Sequence, residues 1–483
     1  MNKPLRRVAL AMMVMVVLLM ANATYVQVIN ADSLRNAPGN MRTIFAEYSQ
    51  ERGQIIAGGQ PLATSVPTQD KLKYLRTYPN GPAFAPLTGY YSFVYGTSGV
   101  ENAQNNVLNG SDDSLAFNRL SDMVTGQTPK GGNVDLTINP AMQQAAYDGL
   151  TSKGFQGSVV ALNPKTGAIL AMANAPSYDP NPLAGHDSDQ VDNAWKQLNS
   201  APGQPMTNRA VSELYPPGST FKLIDTAAAL QDGFTPNSIV TTAPSITLPN
   251  STTQLPNFDN ETCPGNTLTL ALAYSCNTAY ATVAGQVGPD RLRQAAAAFG
   301  FGQDLQVPMP VAKSELGPMP DAASVYQSGI GQRDVRVTPM QNAMVTAAIA
   351  NGGALMKPQV VQDTKAPDLS VLQSFQPQKM NQAIPSDIAQ QIKDMMLVTE
   401  QKTSGAGKIP NVQIASKTGT AQHGADTNFP DGWYVAFGPA QDPTIAVAVI
   451  VENGGDKGAN AVGATIAAPI GRAVIRAGLQ GGS

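Results

Sequence analysis

Histidine and cysteine are nearly absent from this 483-residue sequence, two of each. A structural zinc site of four Cys/His ligands would consume all of them. His186, Cys263, Cys276 and His423 follow no ligand spacing, so no metal is expected, and no other cofactor. Charge is also sparse: 13% of residues are Asp, Glu, Lys or Arg, against about 25% in an average soluble protein. The 31 basic and 34 acidic residues leave a net charge of −3. No basic run exists to neutralise phosphates, which excludes nucleic acid as a partner. The nucleophile-elbow pattern Gly-x-Ser-x-Gly is missing around the candidate serines, which removes one common frame for a Ser-His-Asp hydrolase. Past the first thirty residues no apolar run approaches the ~18 positions that a membrane span needs.

Hydrophobic residues make up 42% of the chain, enough for real cores, and the length suggests two or three domains. The 44 glycines and 37 prolines imply many turns without low complexity.

Lys3, Arg6 and Arg7 precede an unbroken apolar run from Val8 to Ala21, which tolerable residues extend to Ile29. At 1.5 Å per residue, 22 helical positions reach about 33 Å, enough for a bilayer core. A membrane anchor over 8–29 is expected, with the basic residues inside and the rest exported. The alternative is a cleaved signal peptide, because Ala21-Asn22-Ala23 has the small-residue cleavage pattern.

Residues 30–150 form a polar zone rich in Tyr and Asn, with turns at Pro79-Asn80-Gly81 and Leu108-Asn109-Gly110. Val134–Ile138 alternates like a strand. Asn139 then caps a helix that starts at Pro140 and runs through Leu150. From Gly157 the pattern changes. Ser158–Leu162 and Ala168–Ala173 are apolar strands around the turn Asn163–Gly167. A helix-prone middle includes Leu268–Ala284, Arg291–Phe299 and Pro339–Asn351. Strands are expected again at Gln413–Ala415, Trp433–Phe437 and Thr444–Val451, then a helix over Ala464–Leu479. This order suggests an α+β sheet domain with helices packed on it. The expected division is an anchor over 1–29, a non-catalytic domain over 30–150 and a catalytic domain over 151–483.

A serine enzyme without histidine needs another base, and a lysine in a desolvated pocket can serve once its pKa is pulled down. Ser219-Thr220-Phe221-Lys222 supplies that pair. Pro216-Pro217-Gly218 leads stiffly into the apolar segment Phe221–Leu230, which reads as a buried helix. Residues three apart share a face, so Lys222 sits one turn above Ser219. Ser219 falls in the first turn, where free N–H groups favour developing negative charge. Ser275-Cys276-Asn277 interrupts helix-prone sequence with loop-preferring residues. Its hydroxyl suits a proton relay and its amide a substrate peptide group. Lys417-Thr418-Gly419-Thr420 adds an ammonium and hydroxyls able to grip a carboxylate, with a glycine that lets another backbone approach. Lys165-Thr166-Gly167 spells part of the same motif, but sits at a hairpin tip where the glycine is simply a turn residue.

In this order, the three elements resemble the signature of penicillin-binding proteins and serine β-lactamases. Tyr215–Lys222 is nearly the whole transpeptidase motif. Ser158–Met172, Ile330-Gly331-Gln332 through Thr338-Pro339, and Ala350–Gly353 resemble that family's flanking segments. Glu51-Arg52-Gly53-Gln54-Ile55 is similar to the stretch opening the non-catalytic domain of class B members. Pro79–Gly81 through Thr88–Tyr90 and Ser98–Glu101 resemble actinobacterial members.

The resemblance implies a five-stranded antiparallel sheet covered by helices on both faces, beside an N-terminal α+β domain of pedestal or dimerisation type. It implies a D,D-transpeptidase that cross-links peptidoglycan stem peptides through an acyl-enzyme on Ser219 and is acylated by β-lactams, in wall synthesis and division. Lys222 is then the base and Ser275 the relay. Asn277, Lys417, Thr418, Gly419 and Thr420 bind substrate. Division or elongation proteins become partners by family analogy. A D,D-carboxypeptidase shares every motif. A β-lactamase would need the class A pattern Glu-x-x-Leu-Asn, which Glu315, Glu400 and Glu452 do not fit. A silent scaffold or penicillin sensor is the non-enzyme reading, although residues 1–7 hold no signalling domain. Cys263 and Cys276, in an oxidising compartment, either form a disulfide that pins the 275–277 loop or remain buried thiols; the bridge is favoured. His423, close to Thr420, is expected at the rim of the site.

Overall fold

Strands whose residues are apolar on both faces build the centre of the molecule. The computed structural model describes residues 3–30, 34, 45, 47–116, 119, 124–126, 128–422 and 429–481. Its catalytic-half sheet has five antiparallel strands. Their spatial order is Ala415–Ala421, Asp431–Gly438, Ile445–Val451, Gly157–Leu162, Ile169–Ala175. Every residue of the three inner strands is buried. Val160, Trp433, Val435, Phe437 and Ile450 face a helical layer that includes Lys222–Gln231 and Pro339–Ala350. Val159, Ala161, Tyr434, Val447 and Val449 face the helices Pro140–Thr151 and Ala468–Gln480. A sheet covered on both sides reads as continuous apolar sequence, which is why these strands are visible before folding. The architecture is the α+β one expected.

Local signals placed several boundaries. The Asn139 side chain accepts from the N–H groups of Ala141 and Met142, capping Pro140–Thr151. Other boundaries moved. The expected strand at Gln413–Ala415 begins only at Ala415 and runs to Ala421, because its polar residues pair with Asp431–Gly438. Leu268–Ala284 is not one helix: it breaks between Leu268–Ala273 and Asn277–Val287, with Ser275 at φ +61°. Ala464–Leu479 divides into Gly463–Ile466 and Ala468–Gln480, with Pro469 in the first turn of the second helix.

A second sheet of six strands is ordered Val371–Ser374, Val361–Lys365, Asn133–Leu136, Ile55–Ala57, Gln60–Pro67, Tyr74–Thr77. Two of these strands come from beyond residue 360, so the sheet draws on both halves of the chain. Near its Ile55 end lies a buried ionic knot. Arg52 donates to Glu101 Oε2 at 2.7 Å and Arg76 to Oε1 at 2.6 Å, while Tyr78 Oη donates to Oε1 at 3.1 Å. Arg52 also lies 4.2 Å from the Tyr91 ring centroid. The Arg-Gly and Ser-Gly-Val-Glu stretches noted above thus meet in one cluster. Among the described helices, Lys3–Ile29 is long and apolar enough to cross a membrane, with mean hydropathy 2.1 and none of its window buried.

Burial alone would raise the Glu101 carboxyl, but Arg76 and Arg52 together hold it below the usual carboxylate range. The depressed value gives stability that is present above about pH 4–5 and lost as pH falls further. Glu101→Ala leaves the buried Arg76 without a carboxylate and Arg52 with only Glu47, at 3.7 Å, and is expected to destabilise this domain by about 3–5 kcal/mol. Chemical denaturation of the variant checks this, and an unchanged midpoint would contradict it.

Candidate active site

Pro216 and Pro217 stiffen the approach to a single 3-10 turn, Gly218–Thr220, that precedes the helix Lys222–Gln231. Ser219 therefore lies just ahead of the α-helix rather than inside its first turn. Gly218 takes φ +51°, and a Cβ there would lie 2.6 Å from the Thr420 carbonyl oxygen. The turn is held on several sides. Gly218 N–H donates to Gly331 O at 2.9 Å, and Trp433 Nε1 to Pro216 O at 3.0 Å. Asn342 donates to the Thr220 hydroxyl at 3.0 Å, and Tyr215 exchanges backbone hydrogen bonds with Val337. From Tyr215 to Leu230 only Ser219 is not buried. Its N–H donates to no acceptor among the described residues.

Lys222 is fully buried. Its Nζ donates to Ser275 O at 2.7 Å and to Asn277 Oδ1 at 2.8 Å, and lies 3.4 Å from Ser275 Oγ. From the sheet side, Lys417 Nζ donates to Ser275 Oγ at 2.9 Å and to Thr418 O at 2.8 Å. The Ser275 hydroxyl thus stands between two amines carried by distant segments. The break in the helix puts it there: the left-handed φ at Ser275 turns the chain between two helices. Cys276 is disulfide-bonded to Cys263, with Cα atoms 5.8 Å apart, and precedes the second of those helices. A bridge of this loop length is worth about 3 kcal/mol in the chain-entropy model.

Burial pulls the Lys222 amine well below its ordinary value, and the neighbouring Lys417 charge pulls it further. Burial lowers Lys417 to about 7. Asp225, one turn beyond Lys222, is fully buried, and neither carboxyl oxygen finds a hydrogen-bond partner. Burial pushes its carboxyl well up, against the opposing pull of Lys222. Lys222 Nζ thus has Ser275 O and Asn277 Oδ1 as acceptors, and nearby only a carboxyl whose charged form burial disfavours. The arrangement is an amine whose charged form burial disfavours, near a partly exposed hydroxyl, with a second amine positioned to receive an anion.

The Ala415–Ala421 strand forms the sheet edge next to the serine turn. A Cβ on Gly419 would lie 3.0 Å from Pro217 O and 3.1 Å from Thr220 Cγ2, so glycine permits this close approach. Thr418 and Thr420 are half-buried, with hydroxyls that find no hydrogen-bond partner among the described residues, whereas Lys417 and Gly419 are buried. Behind the strand, Ser416 donates to Glu400, which Arg472 holds at 2.8 Å and Tyr434 at 3.1 Å. Sequence reasoning missed Asp225 and this buried ion pair. Asp225 had one signal, a lone acid in an apolar helix; Glu400 and Arg472, 72 residues apart, had none. Lys165-Thr166-Gly167 lies in a turn, with Lys165 paired to Asp442 at 2.5 Å, remote in the sheet from the serine turn. His423 lies outside the described residues. No group of His, Cys, Asp and Glu among the described residues is arranged to hold a metal.

A model of the penicillin-binding protein transpeptidase domain matches residues 157–476, and one of the penicillin-binding protein A dimerisation domain matches residues 52–134. The chain is 52% identical over 492 aligned residues, covering all of both chains, to the Mycolicibacterium smegmatis protein named peptidoglycan D,D-transpeptidase PbpA. A Mycobacterium tuberculosis protein of the same name is 48% identical over 490 aligned residues, again with full coverage of both. The structure is similar to penicillin-binding protein A from M. tuberculosis in its ceftriaxone acyl-enzyme complex. The TM-score is 0.89 at 48% identity, covering 90% of this chain and 100% of that one. The penicillin G acyl-enzyme complex gives a TM-score of 0.86 at 47% identity, covering 89% and 100%. With its three motifs gathered in one cleft and both domain models matched, the chain belongs to the penicillin-binding protein transpeptidase family.

Proposed function

We infer that the protein is a peptidoglycan D,D-transpeptidase that works through an acyl-enzyme on Ser219 and is acylated by β-lactams. The observation that carries this reading is the Ser275 hydroxyl bracketed by Lys222 and Lys417 beside the half-exposed Ser219. The neutral Lys222 amine accepts the Ser219 proton as Oγ attacks the carbonyl between the two terminal D-alanines. The N–H groups of Ser219 and Thr420 receive the oxyanion, a contribution of about 3–4 kcal/mol per donor in comparable sites. Ser275 relays the proton from Lys222 to the departing D-alanine amine. Lys417, Thr418 and Thr420 hold the terminal carboxylate, and the donor peptide adds to the open edge at Lys417–Ala421. Asn277 orients the substrate amide by exchanging its 3.2 Å bond to Pro256 O for one to the substrate. The amine of a second stem peptide then displaces the acyl group and closes the cross-link.

The β-lactamase reading gains nothing from the acidic residues. Glu400 is committed to Arg472 beneath the strand, Glu452 accepts from Arg209, Tyr215 and Gln156, and Glu315 is exposed. The matched segments fall on either side of residue 150, which supports a non-catalytic domain over 30–150 and a transpeptidase domain over 151–483. The Lys3–Ile29 helix, led by Lys3, Arg6 and Arg7, supports a single-pass anchor with the catalytic domain outside the cell membrane. That placement is where division or elongation proteins would meet it.

Intact-protein mass spectrometry after penicillin treatment is expected to show one stable adduct, mapped to a Ser219 peptide and abolished by Ser219→Ala. Rapid loss of the adduct with turnover of the drug would instead mark a lactamase.

The two amines also fix the pH response. Lys222 acts only when neutral, so acylation rises with pH through its depressed value. Lys417 holds a carboxylate only when charged, so acylation falls as pH rises past about 7. The second-order acylation rate should be bell-shaped. Lys417→Arg, whose guanidinium stays charged, should remove the alkaline limb; its persistence would contradict this assignment.

A further inference from the structure

A cleft of about 350 Å³ lies far from Ser219, where Val361–Lys365 and Val371–Ser374 meet the segment around Gln104. Six glutamines line it: Gln104, Gln359, Gln362, Gln373, Gln376 and Gln378. Five have side chains with no hydrogen-bond partner among the described residues; only Gln359 is engaged, through a long 3.4 Å contact to Val361 O. Four of them, Gln362, Gln373, Gln376 and Gln378, are exposed. Phe375 is half-buried in the wall, its N–H donating to Gln362 O at 2.8 Å. Lys357 is the one charged residue in the lining and has no ion-pair partner among the described residues.

Each carboxamide offers both an acceptor and two donors. A wall of such groups suits a neutral ligand dense in hydroxyl and acetamide groups, and the Phe375 ring suits the C–H face of a sugar. A protein interface would centre on several apolar or arginine anchors, and here only Val361 and Phe375 are apolar. A nucleic acid would need several cations.

We propose that this cleft, built by the juxtaposition of the glutamine wall and Phe375, binds the glycan strand of peptidoglycan, a neutral polymer of N-acetylated amino sugars. The choice of that polymer rests on the transpeptidase reading. The cleft borders the far edge of the catalytic sheet, where Ile169 N–H donates to Gln359 O at 2.8 Å. Ser219 adjoins the opposite edge. Four strand spacings separate the two edges by about 20 Å, and the cleft and the serine turn each lie beyond their own edge.

The test uses the full chain in detergent and soluble glycan strands stripped of stem peptides by an amidase. Equilibrium binding is measured alongside penicillin acylation, which reports independently on the acyl site. The wild type is expected to bind the strands. Phe375→Ala combined with Gln373→Ala should weaken binding at least ten-fold while leaving acylation unchanged. Gln376→Ala with Gln378→Ala, both at exposed positions, provides a second variant should the first fail to fold. Three results would overturn the proposal: no binding of stripped strands by the wild type, equal binding by the folded variants, or binding only of strands that retain their stem peptides.

Discussion

Two lysine amines are buried on one serine hydroxyl, where desolvation works against charge on both, and the proposed chemistry of the cleft follows from that constraint. Lys222 and Lys417 reach Ser275 from a helix and from a sheet edge. Desolvation disfavours both ammonium forms, and mutual repulsion disfavours them further. Asp225 would relieve the conflict if it ionised, yet its own burial works against that, opposed by the pull of Lys222. In the proposed mechanism the pair divides into a base, Lys222, and an anion holder, Lys417, which suits a chain so poor in histidine.

The surrounding structure keeps the three contributors in register. The serine turn is tied to Gly331, Val337, Trp433 and Asn342, so the nucleophile is fixed from the helical layer and the sheet together. The Ser275 loop is fastened by the Cys263–Cys276 bridge. The Lys417 strand is gripped from behind through Ser416, Glu400 and Arg472. Side chains alternate across a strand, so Ser416 can hold the sheet from one face while Lys417 serves the cleft on the other. A buried ion pair adds little net stability against apolar packing, but it orients a strand whose displacement by an ångström would open the site.

The parts of this architecture that were legible from sequence are those with local causes. The two-faced apolar strands at 157–162 and 445–451, the Asn139 cap and the proline-stiffened approach to Ser219 each depend on neighbours a few positions away. Lys417–Thr420 was legible as chemistry but not as strand, because an edge strand carrying Ser, Lys and Thr lacks the apolar signature of its neighbours. The strands at 361–365 and 371–374 joined the N-terminal sheet unannounced, since the pairing of 361–365 with Asn133–Leu136 spans more than two hundred residues and 371–374 enters only through 361–365. Ser275's left-handed turn was foreshadowed only by loop-preferring residues inside a helical stretch, and the Glu400–Arg472 pair by nothing local.

The central claim, that burial depresses both lysine amines, is open to direct observation. Lysine labelled with 13C at the ε carbon reports its own protonation by NMR, and Lys222→Arg and Lys417→Arg assign the two signals. The account predicts a Lys222 signal titrating well below the surface lysines and a Lys417 signal titrating near pH 7. Both signals titrating with the surface lysines near 10.4 would contradict it.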